Sequence, residues 1–232
     1  KPSELTALSS LALGVLIERA GVPRGLVNVI AGYGHSIGQA LIAEGDIRKV
    51  VFVGSPATGR HIATATAQRC IPCVLELGGK SANIVFEDAD LEVALRGAQA
   101  AIFSGAGQSC VSGSRLLVQA SIFDKFTTAL AEAATQFTLG DPQDPNTQIG
   151  PINNAKQYQH VTSMLAGAIE DGARLADGSA EPIPVTGGYH VAPTVLLGDN
   201  AMACAQEEIF GPVVVAIPFE EEADAIRIAN DS

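Results

Sequence analysis

Residues 3–20 (SELTALSSLALGVLIERA) mix apolar positions with small polar ones, are good helix formers, and are closed by Gly21 and Pro23, so they predict an opening helix. A β-like run follows at residues 27–31, then a glycine-punctuated turn and a short helix around residues 37–43. Residues 49–53 (KVVFV) form a compact β-branched run of the kind buried in a parallel sheet. Residues 58–69 predict a helix and residues 74–77 a strand.

The second part of the chain repeats this alternation with more variety. A strand is predicted at residues 82–86, then a helix capped by Asp88 or Asp90 and running to Ala101, then a strand at 115–120. Residues 122–137 place Phe123, Phe126, Leu130, Ala133 and Phe137 on one helical face. A polar loop from Gly140 to Pro151 leads to a helix over 153–173, and apolar strands are expected at 191–197 and 213–218. The final Asn230-Asp231-Ser232 is read as lacking a closing element. Strands alternating with helices define an α/β layered fold.

Composition narrows the function classes. Of 232 residues, 47% are hydrophobic, which suits a globular protein with buried elements. No uninterrupted apolar run is long enough to span a bilayer, so no membrane partner is expected. Fourteen basic residues stand against 25 acidic ones, a net charge of -11 that argues against nucleic-acid binding. Four cysteines are too few for a disulfide scaffold. The chain opens at Lys1 without an initiator Met or a leader, which reads as a piece of a longer protein.

Cys110 lies in Gly105-Ala-Gly-Gln-Ser-Cys-Val-Ser-Gly-Ser-Arg115, where small residues let the backbone turn tightly and leave a thiol accessible. A lone cysteine in such a loop also has an inert structural reading, and its neighbours must decide. Glu76 sits in Val74-Leu-Glu-Leu-Gly-Gly-Lys80, an acid within an apolar strand. If buried, its carboxyl would be raised toward neutrality and suit a general base; the other reading is an acid on a solvent-facing strand edge. Phe52, Gly54 and Ser55, followed by Thr58 and Gly59, make a strand, a Gly-Ser turn and a helix start, an arrangement that attracts anions.

Two patterns lead elsewhere. Gly32-Tyr-Gly-His-Ser-Ile-Gly38 is one residue too long for the Gly-rich dinucleotide fingerprint. Cys70-Ile-Pro-Cys73 lacks a second pair and is read as structural, and the four histidines lack metal-ligand spacing, so no metal is expected.

Taken in order, these segments resemble the aldehyde dehydrogenase superfamily along the whole chain. Lys1-Pro-Ser-Glu4 is similar to its adenosine-ribose segment, Phe52-Val-Gly-Ser55 to its pyrophosphate turn, and Glu76-Leu-Gly-Gly-Lys80 to its glutamate signature. Gly107-Gln-Ser-Cys110 resembles the cysteine signature, and Glu207-Glu-Ile-Phe-Gly-Pro-Val213 the segment over the nicotinamide ribose.

The resemblance implies part of a Rossmann-like cofactor-binding domain at 1–77, followed by an α/β catalytic domain at 78–232 that is truncated at its C-terminal end. It implies NAD as cofactor, NADP being disfavoured because Glu4 would repel a 2′-phosphate. Lys1 and Glu4 would hold the adenosine ribose, Gly34 would lie near the adenine, and Phe52, Gly54, Ser55, Thr58 and Gly59 would flank the pyrophosphate. Gly78, Glu208 and Phe210 would serve the nicotinamide side. Cys110 would attack an aldehyde, and Glu76 would activate the water that releases the acid. The full-length protein is expected to be a cytoplasmic homodimer or homotetramer, with an oxyanion-hole Asn supplied from upstream. The alternatives are a CoA-acylating semialdehyde dehydrogenase and an inactive fragment that only binds nucleotide. The particular aldehyde is not encoded in these residues.

Overall fold

A computed structural model describes residues 1–179 and 187–232, which form two compact units, Lys1–Leu77 and Gly78–Ser232. The first unit opens with α1 (Ala7–Arg19), four residues later than the sequence pattern suggested. Its C-terminal end is a Schellman closure: Gly21, at φ +86°, donates to Glu18 O, and Val22 N–H reaches back to Ile17 O. The strand expected at residues 27–31 is not there. Those residues find no ladder partner, and Val27 and Ile30 remain 49% and 41% exposed; apolar, β-prone composition does not make a strand without a neighbour.

A single π turn (Gly34–Gly38) runs into α2 (Gln39–Glu44), which accounts for the glycine-rich segment that mimics a phosphate loop. Then come β1 (Val50–Gly54), α3 (Pro56–Ala67) and β2 (Cys73–Leu77). The two strands pair in parallel, with Val51 opposite Val74 and Val53 opposite Glu76. Helix α3 approaches β2 closely at Gly59, where a Cβ would lie 2.7 Å from Leu77 Cδ2. Arg69 ties this layer to α2 by donating to the Ile42 and Gly45 carbonyls. On the other sheet face Val51, Val53 and Val74 are 65%, 69% and 37% exposed.

The second unit carries the larger core. Its elements are β3 (Ala82–Val85), α4 (Leu91–Phe103), β4 (Arg115–Gln119), α5 (Phe123–Ala134) and α6 (Ala155–Glu170). They continue with β5 (Arg174–Leu175), β6 (Thr194–Leu197), α7 (Ala203–Gln206), β7 (Val213–Phe219) and α8 (Glu222–Asn230). The sheet order is β3-β4-β7-β6-β5, parallel except for the β5–β6 pair. Strands β4 and β7 are central, so Leu116, Leu117, Val118 and Val213 to Ala216 are buried whichever face they point to.

Asp90 rather than Asp88 caps α4, accepting from the Glu92 and Val93 amides, and Asn154 caps α6 through Gln157 N–H. Helix α8 is an element that the sequence pattern did not predict. The fully buried Arg115 donates to the carbonyls of Ile228, Ala229 and Asp231 at its C-terminus and to Lys80 O and Asn200 Oδ1. A guanidinium thereby satisfies helix-end acceptors that would otherwise be orphaned.

Candidate active site

The second unit builds the Cys110 loop from an unusual backbone. After α4 ends, Gly105, Ala106 and Gly107 take φ of 61°, 57° and 68°, three left-handed residues in succession. Gly107 has a second constraint, because a Cβ there would lie 2.0 Å from Gly211 O. Ser112 N–H then donates to Ser109 O, closing a turn with Cys110 and Val111 at its corner. The Cys110 side chain is exposed, and Val111 beside it is 79% exposed. Gln108 fastens the loop: its Oε1 accepts from Asn153 N–H at 2.8 Å and its Nε2 donates to Pro151 O at 3.5 Å.

Against this loop lies the segment from Glu208 to Gly211. The Glu208 carboxylate rests on the Gly78–Gly79 backbone, accepting Gly79 N–H at 3.4 Å. A Cβ on Gly78 would be 1.9 Å from Glu208 Oε2, so glycine is required for this approach. Burial pushes the Glu208 carboxyl above the ordinary carboxylate range, while the Gly79 amide, Lys80 and His160 pull it back. Phe210 has φ +54°, a strained conformation for an aromatic residue. Helix α6 holds that strain: Gln157 Nε2 donates to the Ile209 and Phe210 carbonyls, and His160 Nε2 donates to Glu208 O at 3.0 Å. A cavity of about 10 Å³, room for about one water, lies between the two segments. Ser109, Ser112, Ser114 and Glu208 are the polar side chains among its lining residues.

In the first unit, Ser55 caps α3: its Oγ accepts from Thr58 N–H and donates to Thr58 Oγ1 at 3.1 Å. The Phe52 ring folds over Gly54, where a Cβ would lie 2.6 Å from Cζ. Pro56 has no N–H to offer, so an anion at this helix start would use the Ala57 amide and the two hydroxyls, or displace the cap. That donor set and the helix dipole fit a phosphate group. Lys1 and Glu4 form a 3.5 Å ion pair, and the Glu4 carboxyl is held below its usual range by a backbone hydrogen bond and by Lys1. Gly34 opens the π turn, beside a stacked Tyr33–His35 pair.

Of the two positions left open for Glu76, buried or solvent-facing, the structure shows the solvent-facing one. In β2 the alternate residues Cys73, Leu75 and Leu77 are half-buried, and Glu76 lies with Val74 on the exposed face. Cys70 and Cys73 are free thiols, and no metal-holding cluster occurs among the described residues. No described helix is long and apolar enough to cross a membrane.

The sequence analysis missed Gln108, Gln157 and His160 as site-building residues. Their partners are backbone groups 43 or more positions away, so neither motif nor spacing points to them. Within the second unit the structure brings the Cys110 loop, Gly78, Glu208 and Phe210 together; within the first it brings Phe52, Gly54, Ser55, Thr58 and Gly59 together.

A parallel-sheet α/β protein with a glycine-built cysteine loop and a capped anion-type helix start is the class that fold and site define. The sequence profile of the aldehyde dehydrogenase family matches residues 1–232, and the chain belongs to that family. It is 44% identical to a 5-carboxymethyl-2-hydroxymuconate semialdehyde dehydrogenase of Escherichia coli, all of this chain matching 50% of that protein. It is 43% identical to a mitochondrial succinate-semialdehyde dehydrogenase of Arabidopsis thaliana, covering 44% of it. Among solved structures, a betaine aldehyde dehydrogenase from Staphylococcus aureus in complex with NAD+ superposes with a TM-score of 0.94 at 38% identity, over all of this chain and 46% of that one. An aldehyde dehydrogenase from Bacillus cereus gives 0.95 at 39% identity, over all of this chain and 47% of that one. The chain thus spans about half the length of the curated relatives it matches.

Proposed function

We propose that the protein to which this chain belongs oxidises an aldehyde to a carboxylic acid with NAD. The observation that carries this reading is the exposed Cys110 at the corner of a rigidly built turn, in a chain that matches the aldehyde dehydrogenase family throughout. The first unit acts as part of the cofactor-binding domain and the second as the thiol-bearing catalytic domain. Ser55, Thr58 and Gly59, with Phe52 and Gly54, serve the pyrophosphate. Lys1 and Glu4 serve the adenosine ribose, with Gly34 near the adenine, and Gly78, Glu208 and Phe210 serve the nicotinamide side. The bound dinucleotide supplies the hydride acceptor.

The protein's own groups do the remaining work. The Cys110 thiolate adds to the aldehyde carbon, and backbone amides around the turn stabilise the oxyanion of the thiohemiacetal. Oxidation of that adduct leaves a thioester on Sγ. Glu76 takes a proton from water, the water attacks the thioester, and the thiolate leaves with release of the acid. An exposed Glu76 is free to reach water, which suits that step. NAD is favoured over NADP because Glu4 opposes a 2′-phosphate. The full-length protein is read as a cytoplasmic homo-oligomer. The relatives act on semialdehydes and betaine aldehyde by name, so an aldehyde panel decides the substrate.

In the full-length enzyme, Cys110→Ala should abolish NADH formation from aldehyde while calorimetry still detects NAD binding. Normal turnover in that variant would overturn the nucleophile assignment. Glu76→Gln should retain a rapid first burst of NADH but lose steady turnover; an unchanged deacylation rate removes Glu76 as the base. Acyl-CoA formation in place of free acid would replace hydrolysis by thiol transfer.

A further inference from the structure

The turn that carries Cys110 is tied to the rest of its unit through one side chain. Ser109 and Ser112 bond only within the loop, and Cys110 and Val111 make no hydrogen bond among the described residues. Gly113 fixes the loop's exit to α4, donating to Ala101 O at 3.0 Å. Among the described residues, the Gln108 side chain makes the only hydrogen bonds that lead from residues 108–112 to a segment outside the loop.

The segment it reaches is well fixed. Pro151 O and Asn153 N–H flank Ile152, which is 1% exposed and donates its own N–H to Tyr189 O at 2.8 Å. The Gln108 amide meets both flanking groups, its Oε1 accepting from Asn153 N–H at 2.8 Å and its Nε2 donating to Pro151 O at 3.5 Å. The same Nε2 lies 3.4 Å from Gly105 O, inside the loop. This pairing needs a donor and an acceptor on one planar head, which Gln has and an ionised Glu or a Met lacks.

The next residue, Asn154, caps α6, and that helix also holds the opposite wall of the site. Gln157 donates to the Ile209 and Phe210 carbonyls, and His160 bonds to Glu208 O. The Cys110 turn and the Glu208 to Phe210 segment are thus both registered on the start of α6.

We propose that Gln108 is a positioning residue for Cys110: its amide clamps the nucleophile's turn to the segment from Pro151 to Asn153, and so sets the thiol at a fixed place relative to Glu208 and Phe210. This rests on the reading of Cys110 as the nucleophile and of Glu208 and Phe210 as the nicotinamide side. Without the clamp the thiol keeps its chemistry and its exposure, but the exposed turn wanders. Addition to a carbonyl and the oxidation that follows demand a narrow geometry, and a misplacement of about 1 Å costs about 100-fold.

The test uses the full-length enzyme with Gln108→Met, Gln108→Glu, Cys110→Ala and, as a stability control at the other end of α4, Asp90→Ala. The measurements are the single-turnover burst of NADH at saturating aldehyde, NAD affinity by calorimetry, and alkylation of Cys110 by iodoacetamide, followed by peptide mass spectrometry. Gln108→Met should slow the burst about 100-fold while NAD affinity and Cys110 alkylation stay within about twofold of wild type. Gln108→Glu keeps the acceptor for Asn153 N–H and loses the donor, so its burst should slow about tenfold. Asp90→Ala should lower the melting temperature without slowing the burst. A wild-type burst in Gln108→Met, or an equal slowing in Asp90→Ala, overturns the proposal. So does a loss of alkylation that matches the loss of burst, because the thiol itself would then be altered. Should Gln108→Met not fold, Gln108→Glu carries the comparison, and a wild-type burst there is the overturning result. Cys110→Ala separates the two readings. If it still forms NADH normally, the nucleophile reading fails and this one with it. If it is inert while Gln108→Met keeps a wild-type burst, only the role of Gln108 fails.

Discussion

At the scale of single residues, the Cys110 loop depends most on Gly107. Its φ of 68° disfavours any side chain, and a Cβ would sit 2.0 Å from the Gly211 carbonyl oxygen, which is backbone and cannot swing aside. Gly107→Ala should therefore displace either the Cys110 turn or the Glu208 to Gly211 segment. It should lower stability by about 2 kcal/mol in denaturant titration and reduce turnover more than it alters NAD affinity. Wild-type stability and turnover in this variant would show that the loop is not so constrained. The thiol, the carboxylates and the glycines of the proposed site each sit in a short motif, so the sequence could single them out as candidates. It could not single out Gln108, Gln157 or His160. Each acts on groups that the fold brings in from far along the chain, and no local pattern encodes such a pairing. For Glu76 the sequence left a buried and a solvent-facing position open, and strand alternation places it on the open face.

At the scale of elements, the sequence pattern located helices and central strands well, because β-branched runs and capped amphipathic segments leave period and punctuation to read. It failed where those signals thin out. Helix α8 buries only Ala225 and Ile228 and is otherwise polar, and β5 has two residues. Residues 27–31 have strand composition without a strand partner. Caps separate structural from functional roles. Ser55→Ala removes the acceptor of Thr58 N–H, and Asp90→Ala removes that of the Glu92 and Val93 amides, so each should cost about 1 kcal/mol. Only Ser55→Ala should also raise the KM for NAD, because only that helix start is read as the pyrophosphate site. Equal KM values in the two full-length variants would remove Ser55 from the cofactor site.

At the scale of the molecule, the two units differ sharply in what holds them together. The described residues of Lys1–Leu77 include only Gly59 and Thr66 as buried positions, and α1 buries no side chain. Gly78–Ser232 has a continuous core spanning β4, β7, β6, α4, α5 and α6, with many residues at 0–1% exposure. Buried apolar area is the main favourable contribution to folding, so local stability should follow this division. In the 232-residue chain, hydrogen exchange should leave the amides of β1 and β2 exchanging on a short timescale, while those of Leu116 to Val118 and Val213 to Ala216 are among the last to exchange. The parallel register of β1 on β2 supplies hydrogen bonds, but a two-stranded sheet with Val51 and Val53 exposed has little apolar burial to protect them. Protection in β1 and β2 equal to that of β4 and β7 would show that the first unit draws stability from a source other than its own packing. In the full-length enzyme the expected change is selective: β1 and β2 should gain protection as the exposed valine face becomes covered, with β4 and β7 nearly unchanged. If β1 and β2 exchange as quickly there as in the shorter chain, that face stays open in the full-length protein as well.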